Sequence, residues 1–377
     1  MNHLPLTLYI HFPWCLRKCP YCDFNSREVD GNIPEADYID ALIRDLKQDL
    51  PLAQNRPLKS IFIGGGTPSL LSAVAIKKLL YFIQQAFPLD NNIEITLELN
   101  PGTSTKEKLR EFQAAGINRL SIGVQSFQDN HLKSLDRIHD STLAKQTIID
   151  AKDAGFKNIN IDLMHGLPNQ TIDEALLDLK TATKLAPQHI SWYELTIEPD
   201  TYFGSHPPHL PEEKTLHDIQ QGGHDFLTQH GFNHYEISGY SLPDFQCQHN
   251  LNYWEFGDYL GIGPGAHGKI TKKNHATFEI ARVEKNVNPE EYLKGHFINS
   301  REIVKKDDIS LEFMLNALRL TNGFEISLFE ARTGIKCEQI ESPLQKAQEK
   351  GFLIITNNKI KPTKQGLRFL NECLALF

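Results

Sequence analysis

Long apolar runs and dense clusters of basic residues are missing from this 377-residue sequence. Nowhere do about 18 apolar residues follow one another, which is the length that a membrane-spanning helix needs. The formal net charge of −8 and the lack of a Lys/Arg-rich stretch argue against nucleic acid as a partner. The first residues carry neither the basic segment nor the apolar segment of a secretion signal. We therefore expect a cytoplasmic protein with no integral membrane segment, while a transient membrane association stays open.

Cysteine is also scarce, because six cysteines in a chain of this length are too few for a disulfide scaffold. Three of the six, Cys15, Cys19 and Cys22, are nevertheless spaced Cys-x3-Cys-x2-Cys. Thiolates are soft ligands for iron and sulfide, and three of them can hold three corners of a 4Fe-4S cubane. The fourth iron then stays open to an external ligand. The alternative is a zinc site, which usually needs four protein ligands, with His11 as a nearby candidate for the fourth.

Strand-like and helix-like segments alternate along the first 240 residues. Amphipathic helices are predicted between seven strands, which lie at residues 6–12, 60–63, 94–100, 119–125, 158–164, 189–197 and 235–240. Ser104 and Thr171 each stand three residues before a glutamate, which is the capping-box pattern of a helix start. Regular alternation of this kind predicts an α/β fold with parallel strands, specifically a partial (β/α)6 TIM-like barrel.

Polar motifs follow the predicted strands at the points where those strands end. The cysteines follow the first strand and a Gly-Gly-Gly-Thr-Pro turn at residues 64–68 follows the second. Glu98 and Gln125 stand at the ends of the third and fourth strands, and Asp162 lies in the fifth. Because functional groups of such barrels lie at the C-terminal ends of the strands, we expect these motifs to share one rim.

The alternation loosens after about residue 205. We predict a barrel domain over residues 1–240, a connecting region over 241–300 with a glycine-dense loop at 257–268, and a C-terminal domain over 301–377. The last region is expected to be helical and winged-helix-like, with a hairpin around Asn357 and Asn358. Four basic residues near that hairpin are more typical of a solvated surface than of a DNA site. We expect this domain to cover the open side of the barrel or to contact a protein partner.

The cysteine motif, with an aromatic residue before its third cysteine, resembles the signature of the radical S-adenosylmethionine (SAM) superfamily. Residues 9–15, 64–68, 119–125 and 162–168 are similar to segments of the oxygen-independent coproporphyrinogen III oxidase group. Phe24 stands where those oxidases carry a fourth cysteine. Residues 249–254, His-Asn-Leu-Asn-Tyr-Trp, are similar to the heme-binding motif of the HemW-type heme chaperones. The resemblance covers most of the chain and favours this last branch.

The resemblance implies a role for each site residue. It assigns the three cysteines to a 4Fe-4S cluster, and it assigns a set of rim residues to SAM binding: Tyr9, Tyr21, Phe24, Gly65, Gly66, Thr67, Glu98, Gln125, Arg137 and Asp162. It assigns His249, Tyr253 and Trp254 to heme, since imidazole is a common axial ligand and the aromatic rings offer flat surfaces. Taken singly, these residues also fit ordinary roles as turn glycines, helix caps, surface charges or buried aromatics.

Three functions follow from these features. The resemblance favours a heme chaperone that uses its cluster and SAM to deliver heme to apo-hemoproteins, in particular those of the respiratory chain. The second is an oxygen-independent coproporphyrinogen III dehydrogenase, a radical SAM oxidative decarboxylase. Phe24 argues against it, as does a first strand that begins at Leu6 and leaves no N-terminal arm. The third is a zinc-stabilised binding module. Whether the protein is an enzyme stays open.

Overall fold

The computed structural model describes residues 4–274, 277–356 and 358–377. Its central element is an open 12-stranded sheet with the strand order β12-β11-β10-β9-β1-β2-β3-β4-β5-β6-β8-β7. The strands are β1 (Leu6–Phe12), β2 (Leu58–Gly65), β3 (Leu89–Leu99), β4 (Arg119–Gln125), β5 (Ile159–His165), β6 (His189–Glu194), β7 (Asn233–Glu236), β8 (Gly239–Ser241), β9 (Asp258–Ile262), β10 (His267–Asn274), β11 (Thr277–Lys285) and β12 (Ile298–Ile303).

The six parallel strands of the predicted partial barrel are confirmed. Strands β1 to β6 pair in chain order, and every one of these pairs is parallel. All seven residues of β4 are buried, as expected where helices cover both faces of a parallel sheet. Strands β1 and β4 have the predicted bounds, and β4 ends at Gln125, whose φ is +69°.

Ten helices of the described residues accompany this sheet: α1 (Glu35–Ala53), α2 (Ala73–Ala86), α3 (Lys106–Ala115), α4 (Asp129–Ser134), α5 (Ser141–Asp153), α6 (Ile172–Lys184), α7 (Tyr202–Ser205), α8 (Glu213–Gln229), α9 (Gln248–Trp254) and α10 (Pro289–Leu293). The capping box at Thr171 is confirmed. The one predicted at Ser104 is wrong by one residue. Thr105 is the N-cap of α3 and its hydroxyl accepts from the Lys108 N–H, since the chain enters the helix one residue later.

Two predictions downstream of the barrel are corrected. The segment 235–240 is not one strand, because β7 and β8 form a short antiparallel pair around a turn. The glycine-dense stretch 257–268 is not only a loop, because it contains β9, which pairs in parallel with β1. A Cβ on Gly261 of this strand would lie 1.9 Å from the His267 carbonyl oxygen, so the glycine permits a close backbone approach rather than a loop.

Buried ion pairs connect the antiparallel strands β10 and β11 to the barrel. Asp258 on β9 is fully buried and pairs with Arg56 at 2.7 Å and with Lys269 at 3.0 Å. Lys285 on β11 is also buried and pairs with Asp45 of α1 at 2.6 Å. Each charge has lost its water and depends on its partner, so these strands are part of the main sheet. The predicted domain boundaries at 240 and 300 stay predictions.

The C-terminal region forms a second, smaller core. It contains α11 (Ile309–Ala317), α12 (Ile326–Thr333), α13 (Glu341–Glu349), α14 (Lys364–Arg368) and α15 (Leu370–Leu374), with the antiparallel strands β13 (Phe324–Glu325), β14 (Leu353–Ile355) and β15 (Lys359–Pro362). Phe313 packs edge-on against Phe324 and Phe329, in both cases with ring centroids 5.1 Å apart. The predicted hairpin is present in its two strands, while Asn357 lies outside the described residues.

The C-terminal region contacts both ends of the open sheet. At one end the Thr321 hydroxyl donates to the carbonyl oxygen of His234 on β7 at 2.5 Å. Near the other end Glu312 of α11 forms an ion pair with Arg282 on β11, the neighbour of the edge strand β12. The region therefore lies across the gap that the open sheet leaves. Within the described residues, no helix combines the length and the apolar character that crossing a membrane requires.

Candidate functional site

The three clustered cysteines lie in a loop that follows β1 and is closed at its base. Trp14–Cys15 pairs in parallel with Arg27–Glu28, and the Cys22 N–H donates to the Cys19 carbonyl at 3.0 Å. All three thiols are free and line one cavity of about 270 Å³, which we term the cysteine cavity. Within the described part of the chain, no three His, Cys, Asp or Glu side chains converge closely enough to hold a single metal ion.

Charge around the thiols is set by burial and by one arginine. Burial raises the pKa of Cys15 to about 11, and the neighbouring Cys22 adds to the rise. Arg137 Nη1 donates to the Cys19 Sγ at 3.3 Å. Burial alone would lower the pKa of Arg137, but the nearby Tyr21 and Cys19 raise it above its ordinary value. A permanent cation therefore stands beside the cavity, where it offsets thiolate charge.

The glycine turn after β2 forms the wall opposite the cysteines. The Gly66 N–H donates to the Phe12 carbonyl and the Thr67 N–H donates to the Trp14 carbonyl, each at 2.7 Å. A Cβ on Gly66 would lie 2.4 Å from the Trp14 carbonyl oxygen, and Gly65 has a φ of +113°. Glycine is required here because the turn packs directly against the chain that leads into the cysteine loop.

Two carboxyl groups face the same cavity. Glu98 Oε2 accepts from the Gly65 N–H at 3.0 Å, and burial raises the pKa of Glu98 to about 8, with a further rise from Asp162. Burial also raises the pKa of Asp162, although hydrogen bonds from Ser121 at 3.0 Å and Asn160 at 2.7 Å oppose the rise. Such acceptors suit ribose hydroxyl groups or an ammonium group.

Arg137 and Gln125 complete the rim of the cysteine cavity. Arg137 Nη2 donates to Asn100 Oδ1 and to the Gly123 carbonyl, in both cases at 2.8 Å. Gln125 ends β4 with a φ of +69°, and its Oε1 accepts from the Tyr193 hydroxyl at 2.7 Å. A non-glycine residue in the left-handed region is a strained feature that often marks a functional position.

The structure brings nearly all the predicted rim residues to one place. The cysteine cavity is lined by Cys15, Cys19, Cys22, Tyr21, Phe24, Gly65, Gly66, Thr67, Glu98, Gln125, Arg137 and Asp162. Eight further lining residues were not among the predicted site residues: Arg17, Lys18, Ser26, Leu99, Asn100, Ser121, Gly123 and Tyr193. Leu99 and Asn100 stand where β3 ends, and that position is the signal that could have indicated them. Tyr9 does not line this cavity, because its hydroxyl points to the His11 Nδ1, 3.0 Å away, in a neighbouring hollow.

That second space, of about 330 Å³, we term the aromatic hollow. It is lined by Tyr9, His11, Phe24, Asn25, Tyr253, Trp254, Tyr259, Gly265, His267 and Asn316. Tyr253 and Tyr259 meet edge-on with ring centroids 4.6 Å apart. Trp254 has Arg319 over its ring at 4.4 Å. Phe24 lines both spaces, so one exposed aromatic ring forms a shared wall between them.

His249 does not line the aromatic hollow but lies behind it. Its side chain is buried, with Nδ1 2.8 Å from the Ser60 Oγ and Nε2 2.9 Å from the Tyr253 hydroxyl. Burial, with a smaller contribution from the charge of Arg119, lowers the pKa of His249 to about 3. The ring is therefore neutral, and direct metal ligation would require one of its two hydrogen bonds to break.

A buried chain of polar groups crosses the barrel interior between the two spaces. Asn160, which donates to Asp162 of the cysteine cavity, accepts through its Oδ1 from the His189 Nδ1 at 2.6 Å, and the His189 Nε2 lies 2.8 Å from the Tyr235 hydroxyl. Glu94 accepts the backbone N–H of His249 at 3.2 Å. These side chains satisfy one another away from water, and they position both sites from within the barrel.

Comparison with known proteins identifies this arrangement. The model of the radical SAM superfamily matches residues 9–181, and that of the HemN C-terminal domain matches residues 304–369. The heme chaperone HemW of Haemophilus influenzae is 48% identical over 377 residues, covering 99% of this chain and 98% of that protein. The chain belongs to the HemW family. HemW of Escherichia coli is 48% identical over 374 residues, and HemW of Bacillus subtilis is 32% identical over 380, each with 98% of its length covered. These alignments include 99% and 98% of this chain, respectively.

A solved structure has the same fold as this chain. The coproporphyrinogen III oxidase HemN of Escherichia coli, a radical SAM enzyme, superposes with a TM-score of 0.82. The match covers 100% of this chain and 90% of HemN at 23% sequence identity. The fold class, a partial barrel of radical SAM type with a helical C-terminal region, is therefore confirmed. Membership of the radical SAM superfamily implies a 4Fe-4S cluster and SAM for HemW proteins.

Proposed function

We propose that this protein is a heme chaperone, which binds heme in the aromatic hollow and passes it to apo-hemoproteins under the control of a 4Fe-4S cluster and SAM. One observation carries the proposal. The hollow that contains Tyr253 and Trp254 shares the Phe24 ring with the cavity that contains the three cysteines. Full-length relatives named heme chaperone HemW support the same function.

The cysteine cavity fits the cluster and its ligand. Three free thiols stand around it, and Arg137 supplies a fixed positive charge beside Cys19. When bound, such a cluster supplies an electron and an open iron site for the methionine end of SAM. Glu98 and Asp162 are acceptors for its ammonium and hydroxyl groups, and the glycine turn offers backbone groups at close range.

The aromatic hollow fits a flat, largely apolar ligand. The rings of Phe24, Tyr253, Trp254 and Tyr259 supply apolar surface, and the hollow is open to one side. Aromatic side chains bury large areas at a low cost in conformational entropy, so they suit a rigid macrocycle. His249 holds the Tyr253 hydroxyl in place through its Nε2. His249 therefore belongs to the heme site, where it supports the wall that Tyr253 forms.

Phe24 offers a physical route for control. Phe24 lines both spaces, so a ligand in the cysteine cavity and heme in the aromatic hollow would both contact this residue. Occupation of one space therefore changes the free energy of occupying the other, in either direction equally. Recipients in the respiratory chain would receive heme at a membrane surface that the protein approaches only transiently.

The decisive experiment compares heme binding with coproporphyrinogen turnover. The protein is reconstituted with iron and sulfide without oxygen, analysed for iron, acid-labile sulfide and zinc, and titrated with hemin. Tyr253→Leu is expected to weaken hemin affinity about tenfold, whereas Tyr81→Leu, an exposed tyrosine on α2, should leave it unchanged. Transfer to a heme-free respiratory hemoprotein is then followed with and without SAM.

Three results would refute the proposal. Conversion of coproporphyrinogen III with SAM consumption would favour the dehydrogenase. Zinc in place of iron and sulfide would favour the binding module. Equal hemin affinity for the wild type, Tyr253→Leu and Tyr81→Leu would remove the aromatic hollow from heme binding.

A further inference from the structure

Three histidines, His11, His249 and His267, lie at or behind the aromatic hollow. In His11 and His249 both ring nitrogens are engaged in hydrogen bonds. His11 places Nε2 2.9 Å from the Asn25 carbonyl and Nδ1 3.0 Å from the Tyr9 hydroxyl. His249 is similarly held at both nitrogens and is only 1% exposed. Neither ring can offer a lone pair to a ligand in the hollow until a buried hydrogen bond is broken, which leaves a buried polar group unpaired.

His267 differs from both in exposure and in bonding. It is the first residue of β10, it lines the aromatic hollow, and its side chain is 65% exposed. Within the described residues its ring makes no hydrogen bond. Its Nδ1 lies 4.0 Å from Glu284 Oε1, the residue opposite it in the β10–β11 register. Neither ring nitrogen is engaged by a hydrogen bond from the described residues, so Nε2 can offer its lone pair to a metal.

The backbone that carries His267 is held in place by the cysteine loop. Asn25 Nδ2 donates to the carbonyls of Pro264 and Val287, each at 2.9 Å. A Cβ on Gly265, where φ is +80°, would lie 2.4 Å from that same Nδ2. Since Asn25 directly follows Phe24, the position of His267 depends on the segment that separates the two spaces.

We propose that His267 is an axial ligand of heme iron in the aromatic hollow, through Nε2. This assignment rests on the proposed heme-binding function and adds a residue outside the 249–254 motif. It divides the roles of the two histidines: His267 contacts the iron, and His249 positions the Tyr253 wall from behind. Because the ring is already exposed and lies on a rigid strand, ligation requires little rearrangement.

The test is a hemin titration of purified full-length protein, followed by absorption and resonance Raman spectroscopy. His267→Ala is expected to lower hemin affinity at least tenfold, to shift the Soret band, and to regain the original spectrum when free imidazole is added. His267→Met should give a distinct spectrum, because a thioether replaces the nitrogen. The control is His296→Ala, which removes an equally exposed histidine that pairs with Glu291 away from the hollow.

Each outcome decides the matter. If the wild type binds hemin and His267→Ala has the same Soret band and affinity, the ligand assignment is wrong while heme binding stands. If the wild type binds no hemin, the proposed function and the assignment both fall. A thermal melt of each variant shows whether it is folded, and the His267→Met spectrum gives a second readout that lost stability alone would not produce.

Discussion

Arg137 connects three separate segments around the cysteine cavity. Its two terminal nitrogens donate to Cys19 Sγ, Asn100 Oδ1 and the Gly123 carbonyl, and these acceptors belong to three separate segments. A lysine keeps the charge but has a single ammonium group on a flexible stem, so it cannot span acceptors that the planar fork of arginine reaches together. We expect Arg137→Lys to lose at least two of the three bonds.

The expected cost follows from the bonding. Hydrogen bonds from a charged donor contribute about 1.5–3 kcal/mol each, and the open cavity favours the low end of that range. The loss of two therefore lowers the free energy of unfolding by about 3 kcal/mol, and it releases the loop around Cys19. The measurements are urea denaturation of the cluster-free protein and iron and sulfide content after anaerobic reconstitution, both of which should fall.

Arg17→Lys is the matched control. Arg17 lies on the same loop but is half-exposed and makes one surface ion pair with Asp136, a type that contributes about 0–1 kcal/mol. If Arg137→Lys unfolds within 1 kcal/mol of the wild type (about the size of a surface pair) and takes up the same iron, the three-segment role of Arg137 is refuted.

Three more predictions concern the fold that holds the site. Asp258→Asn leaves two buried cations without a partner and should lower the free energy of unfolding by about 3–5 kcal/mol, against under about 1 kcal/mol for the exposed Asp40→Asn; urea denaturation checks both. Burial lowers the pKa of His165 to about 4 from 6.5, so the unfolded chain binds the extra proton and stability falls as pH drops from 6.5 to 4. His165→Phe should reduce the slope of the free energy of unfolding against pH by up to about 1.4 kcal/mol per pH unit. Equal slopes for the variant and the wild type would show that His165 does not cause this loss of stability. Gly66→Ala should prevent cluster uptake because its Cβ meets a carbonyl, whereas Gly222→Ala in α8 should be tolerated, as iron analysis of both variants would show.

The barrel strands were predictable because each buried parallel strand is a short apolar run between turn residues. The strands β10 to β12 were not. β10 contains Lys269, Lys272 and Lys273, a composition that is typical of a loop, and only pairing with β9 and β11 makes it a strand. The charge of Lys269 is acceptable there because Asp258 lies 3.0 Å away, a contact that no local pattern reveals.

The candidate site, like the fold, was predictable from local sequence only in part. Spacing alone located the cysteines, and a strand end located Glu98, whereas Asp162 lies within β5 and its role was inferred from resemblance. The bonds of Arg137 depend on residues that only the fold assembles, so its role was inferred from resemblance. For His249, the four-residue spacing to Tyr253 on a helix predicts contact between them, but it could not show that the pair faces inward with the histidine behind.

The position of β1 between β2 and β9 affects how the chain can be made. The first strand gains one neighbour early, but residues 6–10 obtain their second only when residues 258–262 have left the ribosome. Until then the nascent protein exposes an unpaired strand edge, and Arg56 lacks its ion-pair partner Asp258. Both features favour aggregation. A fragment that stops at residue 240 keeps this defect permanently. Maturation of the cofactor loop, which directly follows that strand, therefore belongs to the end of translation rather than its beginning.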